Sequence, residues 1–341
     1  MIIKDVLFSL TDTDGVAGAE ENAGGVALSW LRQYAQDAYA DDYGNIIGKI
    51  GKHSDDKPTL LLDAHIDEIG MIVTYIDDKG FIKVGNCGGI DRRLLLAQEV
   101  RIHGTQVVPG LICSKPPHLL NEEEKKKAPE ITDIAIDTGF SKEQLEGLVS
   151  FGDRITFHAA NLELLNGRVS GKSFDDRSGV AAILLALDLL KDAGALPFNL
   201  TVLFSSQEEV GSRGAHIAAF DLAPDYAIAV DVSFGHTSDS PEDKCGKMGK
   251  GGMIGISPSL NRAVSDRLIE LAKEKEIPYQ LEVMPELTGT NADVIAVTKG
   301  GVRTGTLSIP LRYMHTPVES LVLSDLEAVA ELLCAFAKEG M

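Results

Sequence analysis

Basic residues are in short supply: 32 Lys and Arg stand against 51 Asp and Glu, a formal net charge of −19. Nucleic-acid binders need basic patches, so that class is excluded. An acidic chain stays soluble and attracts cations, metal ions included. Long apolar runs are also missing; none reaches the length that spans a bilayer. The opening "MIIKDVLFSLTDTDG" has a short apolar stretch. No basic cluster precedes it and no small-residue cleavage site follows, so a cytoplasmic protein is expected. Cysteine is sparse: Cys87, Cys113, Cys245 and Cys334 are scattered without a CxxC spacing. Neither a disulfide framework nor a thiolate zinc site follows from them. The glycines of "GNCGGID" fit neither GxGxxG nor a phosphate loop. The serine of "GTLSIP" sits on no nucleophile elbow. There is no internal repeat.

What is present alternates between two textures. The 341 residues suit two domains, or one large α/β domain with an insertion. Helices are expected near 2–10 and 20–37, then a hairpin over "DDYGNIIGKI" with "YGN" as its turn. In "PTLLLDAHIDEIG" the continuous apolar run from Leu60 to Leu62 marks a strand buried on both faces. From about 69 to 165 short alternating runs, such as "GMIVTYI", "EVRIHG" and "QVVPGLICS", are separated by Gly and charged turns. These read as a β-rich module. Its "NEEEKKK" patch reads as a solvated loop. After 166 helices and strands alternate again. "DRSGVAAILLALDLLKDAG" and "NADVIAVTKGG" read as helices, and "NLTVLFSS", "DYAIAVDVS" and "VRTGTLSIP" as strands. The final helix is expected to open on Ser324-x-x-Glu327, a capping box. The expected fold class is α/β: an open, mostly parallel sheet with helices on both faces. It is built from 1–68 and 166–341, with a β-rich domain at 69–165 inserted between them.

Open α/β sheets place their sites beyond the carboxyl ends of the strands. Gathered there are His65 with Asp67, Glu208 with Glu209, Asp231, and His315; Asp175 and Asp176 of "SFDDRSG" open the first long helix. Each has a plainer reading alone. His-x-Asp is commonly surface, Asp-Asp commonly a helix cap, and Glu-Glu commonly a solvated face. Together they put four or more carboxylates in one cleft, where they would repel strongly. A pair of divalent cations removes that repulsion, and mixed His/Asp/Glu ligation suits zinc or cobalt. The other histidines are weaker candidates. His118 in "KPPHLL" could reach a cleft, but reads as a loop residue packed on Pro117. His53, His103, His158, His216 and His236 show no acidic partner pattern.

In order and spacing, "LLLDAHIDEIG", "FDDRSGVAA", "SSQEEVGSRGA", "AVDVS" and "SIPLRYMHTPVE" resemble the dinuclear metallo-aminopeptidases that include glutamyl aminopeptidase, the deblocking aminopeptidases and the tetrahedral aminopeptidases. Some of these carry cellulase or endoglucanase labels. The resemblance extends to "GLICSKPPHL" and "IDTGFSKEQ" and so covers nearly the whole chain. It implies two divalent metal ions per subunit, Zn2+ or Co2+, with Mn2+ a further option. Asp175 would bridge them, His65 and Asp231 would complete one site, and Glu209 and His315 the other. Asp67 would lie behind His65 and orient its imidazole. Glu208 would be the general base of peptide hydrolysis. Asp176 is left to cap the helix or to bind Arg177. Short peptides with free N-termini are the implied substrates. The inserted module is implied to make dimers, and the dimers a tetrahedral dodecamer. One departure is "TGTNADVI", with Asn291 where Asp is expected; it alters hydrogen bonding near the substrate cleft but removes no ligand. Three other readings stand against this one. An amidohydrolase or deacylase acting on small acylated molecules would share the metal site. A non-catalytic binding protein on this fold would have lost a ligand or the base, and none is lost. A glycosidase needs two carboxylates flanking a sugar and would leave the metal constellation unexplained.

Overall fold

A strand with an unbroken apolar run cannot show a face to water, so it belongs inside a sheet covered on both sides. The computed structural model, which describes residues 1–341 except the side chain of Asp243, has four strands buried along nearly their whole length at its centre. Asn199–Ser205, Thr59–His65, Tyr226–Phe234 and Arg303–Leu311 lie side by side and parallel. They are the middle of an eight-stranded sheet. On one side it continues through Ile46–Ile50 and Tyr39–Ala40, on the other through Gly252–Ile256 and Tyr279–Val283. The outer pairs meet the parallel block in antiparallel fashion. Helices Ile3–Thr11, Glu21–Leu31, Phe174–Leu190, Arg262–Glu274 and Leu323–Glu339 share one apolar core with the sheet. Arg213–Leu222 and Ala292–Ile295 cover the opposite face. Phe174–Leu190 is the innermost helix. It buries Val180, Ile183, Leu184 and Leu187 completely or nearly so, each worth about 1.5–3 kcal/mol of hydrophobic transfer. Among the described residues no helix is long and apolar enough to cross a membrane.

The chain leaves this sheet after His65 to form a closed six-stranded barrel. In spatial order its strands are Gly70–Ile76, Ile82–Cys87, Ala135–Asp137, Val107–Cys113, Glu99–His103 and Arg154–Phe157. Period-2 alternation drives the closure: along Val107–Cys113, Val108 and Ile112 point into the barrel while Val107 and Leu111 stay exposed. The inward residues make a separate core with Met71, Val84, Ile102, Ile136 and Ile155.

Where the barrel joins the sheet, the charges are buried and paired. The Glu68 carboxylate accepts hydrogen bonds from Lys172 Nζ at 2.7 Å, Arg177 Nη2 at 3.2 Å and Gly15 N at 2.8 Å. Glu68, Lys172 and Arg177 are all buried, Arg177 completely. Lys172 also faces Asp14 at 3.3 Å, and Asp14 reaches the barrel through Arg101 at 3.1 Å and His103 at 3.7 Å. His103 thus has an acidic partner, brought from a distant part of the chain.

Three local expectations are corrected. The second helix stops at Leu31. "NADVIAVTKGG" makes only the single turn Ala292–Ile295; after it the main-chain bonds tighten to an i→i+3 spacing at Thr298 and Gly301, and Lys299 and Gly301 take positive φ in the loop that follows. The capping box at Ser324 does not form: strand Glu319–Val322 runs straight into the helix, Val322 is the cap, and no side chain caps it. Asp325 of that first turn instead accepts from the main-chain N–H groups of Gly249 and Gly251 at 2.6 and 2.7 Å.

Candidate active site

The carboxyl ends of the central strands open into a cleft of about 850 Å³. His65 ends its strand with Ser205 beside it in register. Its Nε2 lies 3.0 Å from Asp175 Oδ1, and its Nδ1 lies 3.1 Å from the main-chain oxygen of Asp67. The other oxygen of Asp175 is 3.2 Å from His315 Nε2, which is 3.5 Å from Glu209 Oε1. Asp175 therefore stands between two histidines. Ligand-type atoms of His65, Asp175 and Asp231 all lie within 4.8 Å of one another, and so do those of Asp175, Glu209 and His315. Glu208 lines the same cleft, its carboxylate 3.3 Å from the Ser212 hydroxyl. The structure thus brings together all seven side chains singled out in the sequence.

Holding these groups costs backbone strain. Ser173, Gln207, Ser212, Tyr313 and His315 all have φ between +52° and +61°, a left-handed region that concentrates at functional sites. The barrel supplies one wall. A Cβ on Gly88 would come within 2.9 Å of Glu209 Oε2, and one on Gly89 within 3.0 Å of His315 Nδ1. Only glycine lets that loop approach so closely.

Burial pushes the carboxyls of Glu208, Glu209 and Asp231 above the usual range, and the negative charge of Asp175 adds to it. For Asp175 burial acts in the same direction, but hydrogen bonds from His315 and His65 outweigh it and hold the carboxyl low. Burial works against a charged His65, and its bonds to Asp175 and Asp67 overcome this and raise it. Glu209 Oε1 is buried with no hydrogen-bond partner. A buried acceptor without a donor costs roughly 1–3 kcal/mol. The donor set is rich in oxygen acceptors, contains two imidazoles, and lacks nearby ammonium or guanidinium groups, with Lys244 alone of that kind lining the cleft among the described residues. Such a set fits divalent cations.

The sequence pattern described as M42 glutamyl aminopeptidase matches residues 44–332. The chain belongs to that family, a family of peptide hydrolases. It is 32% identical to a lysyl aminopeptidase of Pyrococcus furiosus over 348 residues, covering 99% of this chain and 98% of the relative. An aminopeptidase from the archaeon Desulfurococcus kamchatkensis superposes with a TM-score of 0.92 at 33% identity, covering 99% of this chain and 95% of that one. The TET1 peptidase of Pyrococcus horikoshii, described as assembling into a tetrahedron or a large octahedral shell, gives 0.86 at 33% identity, with 99% and 100% covered.

Several side chains in this M42 chain do more, or other, work than the sequence reading gave them. Asp67 faces His65 Nδ1 with its main-chain oxygen at 3.1 Å and its carboxylate at 3.4 Å, and the same carboxylate accepts from the N–H groups of Glu208 and Glu209 at 2.9 and 3.1 Å. It positions the glutamate pair as well as the imidazole. Asp176 accepts from Gly179 N at 3.1 Å, a helix cap, and from His65 N at 3.3 Å; Arg177 goes to Glu68 instead. Asn291 is not part of the cleft lining. It is buried in the sheet, where its Nδ2 donates to Asp63 Oδ2 at 2.9 Å and Ser205 Oγ at 2.8 Å. Burial pushes Asp63 up to about 7 even so. His118 lies exposed in the short turn Pro117–Leu119, outside the cleft lining.

Glu319 was missed. It is buried, and its two oxygens accept from Asp175 N at 3.1 Å and His315 N at 2.9 Å. One carboxylate therefore fixes the backbone of two separate site loops. The available signal was a carboxylate four residues after His315 at the start of the short strand "ESLV".

Proposed function

We propose that this M42 chain is a two-metal aminopeptidase that removes N-terminal residues from short peptides. The observation that carries the reading is the pair of three-residue groups sharing Asp175. His65 and Asp231 would hold one divalent cation, Glu209 and His315 the other, with Asp175 serving both; zinc and cobalt suit these donors. Such cations, when bound, lower the pKa of water and polarise a scissile carbonyl. Glu208 then accepts the proton of the attacking water and hands it to the leaving amine. Burial raises its carboxyl, the direction that lets a carboxylate hold a proton in transit. The strained backbone and the bonds from Asp67 hold Glu208 in place before substrate arrives, so little reorganisation remains for the reaction itself. Elemental analysis of protein stripped and reloaded with zinc or cobalt is expected to give about two equivalents per chain, with peptide release restored in parallel. Full activity of the stripped protein would reject the reading.

The proposal extends to assembly. Val107 and Leu111 are about half exposed on one barrel strand, at 55% and 53%. Apolar side chains set alternately along a strand in this way suit burial against a second copy. With the assembly described for the P. horikoshii relative, this supports a dimer through the barrel and a larger shell, up to twelve subunits, built from dimers. Sedimentation of the metal-loaded protein is expected to show a dimer or larger. A fully active monomer at micromolar concentration would exclude it.

A further inference from the structure

Three carboxylates in the cleft lining, Glu242, Glu282 and Glu286, belong to neither metal group and are not the base. Glu282 lies on the edge strand Tyr279–Val283, opposite Gly255 of the next strand in register. Its oxygens reach the hydroxyls of Ser233 and Ser308, the latter at 2.8 Å. These serines come from two other strands, Tyr226–Phe234 and Arg303–Leu311. Ser308 is the register partner of Asp231. Glu282 is therefore fixed in the same cleft as the candidate metal ligands, held from across the sheet by a serine on the strand of Asp231 and one on the strand next to it.

Its surroundings leave it without a counter-charge. Among the described residues Glu282 makes no ion pair within 4 Å. Two serine hydroxyls supply one hydrogen each, whereas an ionised carboxylate offers about four acceptor positions. Close by, Thr306 lines the cleft with a buried hydroxyl oxygen that has no partner. Glu242 and Glu286 add acid to the same lining, against Lys244 alone. Met253 and Met284 line it with flexible apolar chains. Methylene stems pack against such chains while a charged end group seeks a polar one.

We propose that Glu282 reads the first side chain of the peptide and selects lysine or arginine there. This inference rests on the aminopeptidase reading above. A cationic end group would meet the open acceptor positions of Glu282 and the free hydroxyl of Thr306. Aspartate or glutamate in the same place would face a fixed like charge. Burial pushes the Glu282 carboxyl up, and a bound ammonium or guanidinium opposes that shift. A carboxylate that merely pinned three strands together would give no difference between substrates of equal length.

The test compares lysyl, arginyl, norleucyl and glutamyl nitroanilides on the metal-loaded enzyme. Norleucine has the lysine stem without the ammonium. The expected kcat/KM for lysyl and arginyl substrates exceeds that for norleucyl by about tenfold to a hundredfold, the worth of a hydrogen bond to a charged group. Glu282→Gln keeps the shape and both serine contacts, and is expected to reduce the lysyl-to-norleucyl ratio by a similar factor, mainly through KM. Glu282→Asp should restore part of it. Calorimetric titration with free L-lysine and L-norleucine gives a readout that needs no turnover: lysine should bind more tightly to the native enzyme, and the preference should shrink in Glu282→Gln. A native preference for norleucyl or glutamyl substrates, or a ratio unmoved by Glu282→Gln, overturns the inference and leaves the aminopeptidase reading intact. Release from none of the substrates overturns both.

Discussion

Glu208→Gln is expected to lower kcat by about 10²–10⁴-fold, the usual contribution of general acid–base catalysis, while the protein still takes up about two metal equivalents. Glutamine has the size of glutamate and keeps an oxygen for the Ser212 hydroxyl, which lies 3.3 Å from the native carboxylate. The backbone N–H of residue 208 still bonds to Asp67, so the turn should keep its shape. What is lost is the ability to accept a proton. Steady-state kinetics and elemental analysis on the same preparation separate the two effects. A variant with near-native kcat would show that Glu208 is not the base. A variant that loses its metal would instead assign Glu208 to the ligand set.

The largest effect on stability is expected at Glu68, well away from the reacting groups. Glu68→Gln removes the negative charge that faces both Lys172 and Arg177, at 2.7 and 3.2 Å. Both cations remain buried, with side-chain exposures of 5% and 0%. Breaking a buried pair by removing one partner costs about 3–5 kcal/mol, because the other charge is left uncompensated. Asp14, 3.3 Å from Lys172, offsets only part of that, and nothing comparable faces Arg177. Denaturant unfolding of native protein and variant in parallel checks the figure. A loss under about 1 kcal/mol would mean that water reaches these charges once the carboxylate is gone.

The contrast between those two residues explains what the sequence made legible. Glu208 and Glu209 follow a strand, His65 ends one and Asp231 lies near the end of another; the apolar runs of these strands are visible, and a parallel sheet gathers strand ends at one edge whatever the strand order. Their candidacy could be read without knowing which strand lies beside which. The same holds for the α/β class and for the β-rich texture of the stretch that forms the barrel. Glu68 was hidden because its partners Lys172 and Arg177 are more than a hundred residues away; seen alone, it is an acid at the end of a strand. Glu319 was hidden for a similar reason, since it acts on the main chain of Asp175 and His315, and a main-chain donor leaves no mark on composition. The failed cap at Ser324 has another cause. The motif presumes a loop before the helix, and here a strand residue, Val322, occupies the cap. The family pattern in "TGTNADVI" puts Asn291 near the substrate; Gly289 and Thr290 do line the cleft, but the side chain of Asn291 turns into the sheet, and one sequence does not show which way it points.

The barrel closes within residues 70–157 and takes no strand from the large sheet. On a growing chain all its pairings become available before Asn199–Ser205, the strand that must lie beside Thr59–His65, has been made. Contacts close in sequence form faster than distant ones, because less chain entropy is lost in closing them. His65 therefore waits on an exposed strand while a complete barrel forms downstream of it. Its partners arrive in the order Asp175, Glu209, Asp231 and His315, the last of them 250 residues after His65 (315 − 65). A nascent chain can thus hold a finished barrel long before it can hold a finished site.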